Sequence, residues 1–240
     1  MIPKKIFYIW FGKKEKPDLI KKCIESWKVH LSDFEIVEIN EDSFNVDKYE
    51  FTKRAYSEKK WAFVSDYVRL IKLCEEGGVY LDTDMLVLKS FTDFMDKDFD
   101  LILGKEDEKY FNAAMLAAAP RNALIEKLID RYDNLKNGEY ITIPRLLTEI
   151  YENEKQNKEM INSKTKVFES IYFYPFCAND IDKFNYKNAP EESYAVHMWN
   201  YSWGPWYIKF LKKVKLYKII IKILEFLNIK NILKKIFKVA

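Results

Sequence analysis

Short apolar runs and amphipathic stretches follow one another along the first forty residues of the chain. Residues 5–11, Lys-Ile-Phe-Tyr-Ile-Trp-Phe, are mostly β-branched or aromatic and end at Gly12, which predicts a buried strand. Pro17 then opens a segment whose apolar residues recur at helical intervals: Leu19, Ile20, Cys23, Ile24 and Trp27. Residues 34–39 form a second strand pattern with partial alternation. The order strand, helix, strand predicts an α/β fold.

The same alternation continues as far as about residue 204. A helical pattern runs from Glu58 to Glu76 and ends at two glycines, which readily adopt the left-handed conformation found after helices. An apolar strand pattern over residues 79–88 follows directly and is interrupted by two carboxylates. Beyond it we predict further elements, namely strands over 100–104, 113–118 and 166–174 and helices over 121–136 and 143–156. No repeat or low-complexity linker divides this sequence, so we predict one α/β domain over residues 1–204.

Residues 205–240 differ from the preceding sequence in charge. They contain ten lysines and one glutamate, a net charge of +9, which leaves −6 for residues 1–204. Their apolar residues recur at helical intervals with lysines between them. A basic amphipathic helix of this kind either lies on an anionic membrane surface or packs on its own domain, and the lysine excess favours the membrane.

The composition excludes several classes of protein. A chain that is 48% hydrophobic and 16% aromatic is not intrinsically disordered, and six glycines and seven prolines are too few for a collagen-like chain. The three cysteines are widely spaced and form no CxxC pair, so we predict neither a disulfide framework nor a zinc knuckle, and a reducing cytoplasm fits best. The amino terminus lacks the apolar core of a signal peptide, and no run reaches the roughly 20 apolar residues of a membrane span. We therefore expect a chain that is neither exported by the usual signal nor membrane-spanning.

The sequence Asp82-Thr83-Asp84 is the first candidate for chemistry. Residues two apart in a strand point to the same side, so the two carboxylates are expected to converge while Thr83 faces away. Hard oxygen ligands suit Mg²⁺ or Mn²⁺, and such a metal can bridge a diphosphate leaving group. Other acidic pairs with this spacing occur in the chain, and only this one lies inside an apolar strand pattern after a helix.

Two further groups of residues could take part in a site. Asp66 and Arg69 are three apart on a largely apolar helix, which fits either an internal ion pair or a pair that holds a sugar hydroxyl and a phosphate. The sequence His197-Met-Trp-Asn-Tyr-Ser-Trp203 combines an imidazole, an asparagine, a serine and two indoles. These groups bind metals, oxygens and sugar or base faces, although a lone histidine is more often structural.

Four blocks of this sequence, taken in order, resemble glycosyltransferase family 32. The blocks are Ile2-Pro-Lys-Lys-Ile-Phe-Tyr-Ile-Trp-Phe-Gly12, Ser65-Asp-Tyr-Val-Arg69, Gly77-Gly-Val-Tyr-Leu-Asp-Thr-Asp84, and His197 through Ser202-Trp203. That family includes bacterial capsular-polysaccharide transferases and yeast-type mannosyltransferases, and the catalytic domains of clostridial glucosylating toxins are similar. The resemblance implies a GT-A fold with a Rossmann-like central sheet flanked by helices. It also implies a nucleotide-sugar donor, Mn²⁺ or Mg²⁺ at the DxD sequence, and transfer with retention of configuration.

The resemblance assigns roles to particular residues of this chain. Asp82 would contact the ribose or the sugar, and Asp84 would ligate the metal. His197 and Asn200 fall where the toxins complete the metal site with other residue types. The implied metal ligands are thus Asp82, Asp84 and His197, and the implied catalytic residues are Asp66, Arg69, Asp82 and Asp84. The remaining donor contacts are implied at Tyr8, Ile9 and Trp10 for the base, Asp66 and Arg69 for the sugar and phosphate, Asn112 for the sugar, and Ser202 and Trp203 for the diphosphate.

These inferences together predict a retaining transferase that moves a hexose or an N-acetylhexosamine from a nucleotide sugar, with UDP favoured over GDP. The acceptor would be a saccharide or a lipid-linked glycan in surface polysaccharide synthesis, at the inner face of the cytoplasmic membrane. The alternatives are a metal-dependent nucleotidyl- or phosphotransferase, whose usual glycine-rich phosphate loop is absent, and a glycan-binding or membrane-adaptor protein that has lost activity. The acidic body disfavours nucleic acid as a partner.

Overall fold

The computed structural model of the protein describes residues 1–136, 138–158, 160–162 and 164–200. Within it, Met1–Trp199 form one compact unit. The predicted domain boundary near residue 204 and the predicted basic helix over 205–240 lie outside the described residues. No helix in the described ranges has both the length and the hydrophobicity that crossing a membrane requires.

A six-stranded sheet in the order β2-β1-β3-β6-β5-β7 forms the centre of the fold. All its strands run parallel except β6, which is antiparallel to both of its neighbours, β3 and β5. A separate antiparallel pair joins β4 to β8. The strands are β1 Lys5–Ile9, β2 Glu35–Ile39, β3 Gly78–Leu81, β4 Met85–Val87, β5 Leu101–Lys105, β6 Phe111–Ala118, β7 Thr165–Phe168 and β8 Ala195–His197.

Helices cover both faces of the central sheet. Helices α3, α5 and α6 pack their apolar residues into one core cluster, and α1 packs Ile20, Ile24 and Trp27 into a second cluster on the other face. The helices are α1 Asp18–His30, α2 Glu50–Ser57, α3 Trp61–Glu76, α4 Thr92–Met95, α5 Ala123–Asp133, α6 Ile143–Glu154 and α7 Ser170–Phe173. A mostly parallel sheet between helical layers confirms the predicted α/β class.

The turn after α3 explains why glycine follows this helix. Gly77 has a φ of +66°, and a Cβ at this position would lie 2.5 Å from Pro120 Cδ. Only glycine tolerates both the backbone conformation and the close approach. The turn leads directly into β3, and the Asp82-Thr83-Asp84 sequence follows that strand.

Several predicted elements have different bounds in the structure. The helix predicted from Glu58 begins at Trp61, and the helix predicted over 121–136 spans Ala123–Asp133. The first strand ends at Ile9, two residues earlier than predicted. The strand predicted over 79–88 is two strands, β3 and β4, which belong to different sheets. The strand predicted over 166–174 is wrong in its second half, which forms α7, because an apolar aromatic run has no periodicity that separates strand from helix.

Candidate functional site

The candidate site lies at one edge of the central sheet. Because β1, β3 and β5 are parallel and β6 is antiparallel, the ends of the first three strands and the start of β6 meet at this edge. The residues there are Trp10 after β1, Asp82 after β3, Glu106 after β5 and Asn112 at the start of β6. Ligands in open α/β sheets bind outside the carboxyl ends of the strands, so a ligand-binding site is expected at this edge.

A tight turn brings the two carboxylates of the DxD sequence to this edge. Asp82 accepts a hydrogen bond at its carbonyl from the backbone N–H of Met85, 2.9 Å away, which closes the turn between β3 and β4. The predicted reason for convergence, two residues on one side of a strand, is therefore wrong. The turn achieves the same result, since oxygens of Asp82 and Asp84 lie within 4.8 Å of each other and of a nitrogen of His197.

Pairing between β4 and β8 places His197 beside the turn. Met85 is the strand partner of His197, and the backbone N–H of Met198 donates to the carbonyl of Asp84 at 3.0 Å. The imidazole Nε2 lies 3.3 Å from Asp84 Oδ1. No residue near the DxD sequence in the chain indicates this pairing, which joins segments more than 100 residues apart.

His197 is almost fully buried, with 7% of the residue exposed. Burial lowers its pKa, but the nearby carboxylates of Asp84, Asp82 and Glu106 outweigh burial and raise the pKa above 6.5. Its Nδ1 is buried and has no hydrogen-bond partner among the described residues. Tyr174 and Trp199 flank the ring, with centroids 6.0 Å and 4.1 Å away.

These three side chains fit a divalent cation. Two carboxylates crowded around a buried imidazole carry an excess of negative charge, which a cation would offset. Carboxylate oxygens suit Mg²⁺ and Mn²⁺, and imidazole nitrogen is also a ligand for transition metals. Asp82, Asp84 and His197 are therefore the residues that would hold the metal.

Arg69 links the helix α3 to the DxD turn. Its guanidinium lies 2.9 Å from Asp66 Oδ1 and 3.4 Å from Asp82 Oδ1, and it covers the Tyr80 ring at 4.1 Å. Its Nη1 also donates to the carbonyl of Ala113 at 2.8 Å. The pairing of β5 with β6 shifts register here, because Leu103 pairs with Leu116 whereas the next residue, Gly104, pairs with Asn112. Ala113 lies in the stretch of β6 that this shift passes over, so its carbonyl is available to Arg69.

Asp66 forms an internal ion pair with Arg69, which is one of the two arrangements that the sequence allowed for these residues. The residue is 6% exposed, and its second oxygen accepts from the backbone N–H of Ile143 at 3.2 Å. Burial raises the pKa of Asp66 to about 6, against the opposing effects of Arg69 and the Ile143 N–H. The direct sugar and phosphate contacts implied for Asp66 and Arg69 stay predictions.

The residues predicted to surround the donor base do not all come together. Tyr8 packs with α1, whereas Ile9 packs in the opposite core cluster, because neighbouring strand residues face opposite sides. The Tyr8 hydroxyl donates to Glu38 at 2.6 Å. Trp10 is half-buried, and its indole N–H donates to the carbonyl of Lys14 at 2.6 Å. The stacking role of Trp10 stays a prediction.

Asn112 lies at the site edge, with 6% exposure. Asn200 is half-buried, and Ser202 and Trp203 lie outside the described residues. The roles implied for these four residues also stay predictions.

Sequence reasoning missed three residues that the structure places at the site. The hydroxyl of Tyr80 donates to Asp82 Oδ1 at 2.6 Å, and burial raises its pKa well above 10, which keeps it a donor. The hydroxyl of Tyr174 accepts from the backbone N–H of Met115 at 2.9 Å. Glu106 accepts from the side-chain amide of Asn112 at 2.7 Å. Only Tyr80 had a signal in the sequence, its position two residues before Asp82 in a strand.

Comparison with known proteins agrees with this geometry. Residues 17–106 match the family described as "Glycosyltransferase sugar-binding region containing DXD motif". Lactosylceramide 4-alpha-galactosyltransferases are 25% identical to this chain in an alignment 187 positions long, which covers 72% of this chain. The alignment covers 83% of the Pongo pygmaeus sequence and 51% of the human one, so the chain spans about half the length of the human relative.

Two solved glycosyltransferases share the fold. PaToxG glycosyltransferase aligns with a TM-score of 0.50 and 22% identity over 64% of this chain and 69% of its own. The apo form of GlyE from Streptococcus pneumoniae aligns with a TM-score of 0.50 and 15% identity over 82% of this chain and 55% of its own. These likenesses show that the chain has the GT-A fold of these glycosyltransferases, and residues 17–106, which contain the DxD turn at the sheet edge, are similar to the DXD-containing sugar-binding region of that family.

Proposed function

We propose that the protein is a metal-dependent, retaining transferase that moves a hexose or an N-acetylhexosamine from a nucleotide sugar, UDP-linked in preference to GDP-linked. The observation that carries this proposal is the cluster of Asp82, Asp84 and His197 at the sheet edge. A divalent cation held there would neutralise the phosphates and make the nucleoside diphosphate a better leaving group. Neither a nucleotidyltransferase nor an inactive glycan-binding protein is favoured by the family match.

The protein's own residues orient the reactants in this proposal. Tyr80 and Arg69 both contact Asp82 Oδ1 and hold its carboxylate in one orientation. Trp10, at the end of β1, would provide an aromatic face for the nucleotide base. Preorganised groups of this kind lower the barrier because they need no rearrangement during the reaction.

The proposed chemistry is attack from the side on which the leaving group departs. The acceptor hydroxyl oxygen bonds to the anomeric carbon as the bond from that carbon to the diphosphate breaks, and the hydroxyl proton passes to the leaving phosphate oxygen. Asp66 is a poor covalent nucleophile, because both of its oxygens are engaged by Arg69 and by the backbone of Ile143. We therefore favour direct attack over a covalent intermediate.

Galactose is the donor sugar that we would test first. The curated relatives are named as α-galactosyltransferases that act on lactosylceramide. An α-linked product formed from an α-linked nucleotide sugar requires retention, which agrees with the proposed chemistry. By the same likeness, the proposed acceptor is a saccharide or a lipid-linked glycan. The proposed process, surface polysaccharide synthesis, is supported only by the resemblance of the four sequence blocks to capsular-polysaccharide transferases.

The proposed location is the inner face of the cytoplasmic membrane, reached through the basic residues 205–240. The support is their net charge of +9, since anionic lipids attract clusters of lysines. Co-sedimentation of the full chain with vesicles tests this location. We expect binding to phosphatidylglycerol vesicles that weakens with added salt, and equal binding to neutral phosphatidylcholine vesicles would contradict it.

A panel of nucleotide sugars tests the proposed donor. The full chain is incubated with Mn²⁺ and UDP- or GDP-linked glucose, galactose, mannose and N-acetylhexosamines, and thermal shift and release of the nucleotide are measured. We expect at least one UDP-sugar to stabilise the protein and to be hydrolysed, with both effects removed by EDTA. A response to GDP-sugars alone would contradict the proposed nucleotide, and no response to any donor would contradict the proposed function.

A further inference from the structure

Glu106 is an acidic residue at the edge of the sheet that carries the candidate site. It is neither one of the three candidate metal ligands nor one of the carboxylates that pair with Arg69. It follows β5 and begins the turn into β6, where its backbone N–H donates to the carbonyl of Tyr110 at 2.8 Å. Asp107 Oδ1 accepts from the backbone N–H groups of Lys109 and Tyr110, both at 2.8 Å. These bonds order the turn, so the Glu106 carboxylate starts from a fixed backbone position.

Asn112 holds one side of the Glu106 carboxylate. The Asn112 amide nitrogen donates to Glu106 Oε2 at 2.7 Å, while its amide oxygen accepts from the backbone N–H of Ala114 at 2.8 Å. Asn112 is thus engaged at both ends of its amide group and is only 6% exposed. It bridges the irregular part of β6 to Glu106 and has little surface left for a ligand.

The other oxygen of Glu106 is differently placed. Among the described residues it has no hydrogen-bond or ion-pair partner. It is not one of the fully buried polar atoms that lack a partner, so it keeps some contact with solvent. Burial of the side chain raises the pKa of Glu106, and its charge interacts with that of His197. The Tyr174 hydroxyl donates to the carbonyl of Asn112 at 3.3 Å, and the Tyr174 ring lies 6.0 Å from the His197 ring, so the Glu106–Asn112 pair adjoins the candidate metal site. Within the described ranges, the second Glu106 oxygen is therefore an unpaired acceptor beside that site.

We propose that Glu106 binds a hydroxyl group of the transferred sugar, and that Asn112 is the positioning residue that aims the carboxylate. This inference rests on the proposed function and shifts the sugar contact implied for Asn112 to its partner. A carboxylate accepts hydrogen bonds from sugar hydroxyls, and bonds to charged groups are the stronger ones in proteins. The unused oxygen of Glu106 is the acceptor, because the oxygen facing Asn112 is already occupied.

The test compares the sugar-bearing donor with the bare nucleotide. Glu106→Gln is made in the full chain, with UDP-galactose and UDP as probes and Mn²⁺ present. The substitution replaces the carboxylate with a neutral amide, whose nitrogen donates hydrogen bonds and does not accept them. We expect kcat/KM for UDP-galactose hydrolysis to fall by about tenfold or more, while the Kd for UDP stays within about twofold.

Matched variants separate this role from a structural one. Glu108→Gln changes an exposed acid two positions further along the turn and is expected to leave both measurements unchanged. Asn112→Asp removes the N–H donor and sets a second carboxylate against Glu106, so a loss similar to that of Glu106→Gln is expected, again with UDP binding retained. Should Glu106→Gln not fold, Glu106→Asp, which keeps the charge but shortens the side chain, is tested in the same way.

The outcomes distinguish this inference from the proposed function. Unchanged UDP-galactose kinetics in a folded Glu106 variant would overturn the role of Glu106 and leave the transferase intact. Equal losses of UDP and UDP-galactose binding would also overturn it, because the effect would not depend on the sugar. Absence of any nucleotide-sugar turnover by the wild-type protein would overturn the proposed function and this inference together.

Discussion

Asp84→Asn is expected to lower kcat/KM for metal-dependent hydrolysis of the nucleotide sugar by at least about 10²-fold. The substitution keeps the size of the side chain but removes the charge of a carboxylate that lies 3.3 Å from His197 Nε2 and within the proposed metal ligands. A neutral amide is a weaker ligand for a hard cation. Turnover at saturating and at limiting Mn²⁺ measures the effect, and part of the loss should be recovered at high Mn²⁺.

A second acidic residue provides the control for this prediction. Asp98 lies in another Asp-x-Asp sequence of the same chain, but its side chain is 68% exposed and pairs with Lys164. We expect Asp98→Asn to retain wild-type turnover. Thermal unfolding shows whether each variant is folded. Equal activity of a folded Asp84→Asn protein and the wild type would contradict the assignment of Asp84 to the metal site.

Arg69→Met is expected to produce the largest loss of stability, about 3–5 kcal/mol in the free energy of unfolding. Arg69 is 4% exposed, and its guanidinium contacts two carboxylates and the carbonyl of Ala113. Methionine fills much of the volume but leaves Asp66 as a buried charge without its cation. Urea unfolding, followed by tryptophan fluorescence, measures the change.

Two variants show whether the loss comes from this network. Arg145→Met changes an exposed arginine on α6 and is expected to alter stability by no more than about 0.5 kcal/mol. Asp66→Asn combined with Arg69→Met should cost less than the sum of the two single changes, because the unpaired buried charge is gone. A loss for Arg69→Met as small as that for Arg145→Met would contradict the role given to Arg69.

Elements with strong periodicity were predictable from the sequence. Helix α1 lies close to its predicted position, because regular apolar spacing reports directly on which side of a helix is buried. Strand β6 was predictable as a short apolar run, and all of its residues are buried. Helix α2, Glu50–Ser57, was missed, since its eight residues give too few turns for a clear pattern. The small sheet of β4 and β8 was also missed, because pairing between distant segments leaves no local mark on either one.

The candidate site was predictable only in part for the same reason. Asp82 and Asp84 stood out because they interrupt an apolar strand pattern, and His197 stood out among aromatic neighbours. The contact between Glu106 and Asn112 depends on how the turn between β5 and β6 folds. The contact of Arg69 with Ala113 depends on an irregularity in strand pairing. Neither feature follows from residue types or their spacing.

The central claim is that Asp82, Asp84 and His197 form the metal-dependent donor site. The most direct measurement is the release of UDP from UDP-galactose by the full chain, with Mn²⁺ and with EDTA, for the wild type and for Asp84→Asn. We predict release by the wild type with Mn²⁺ only, and almost none by the variant. Release that persists in EDTA, or that is equal in the folded variant, would contradict the claim.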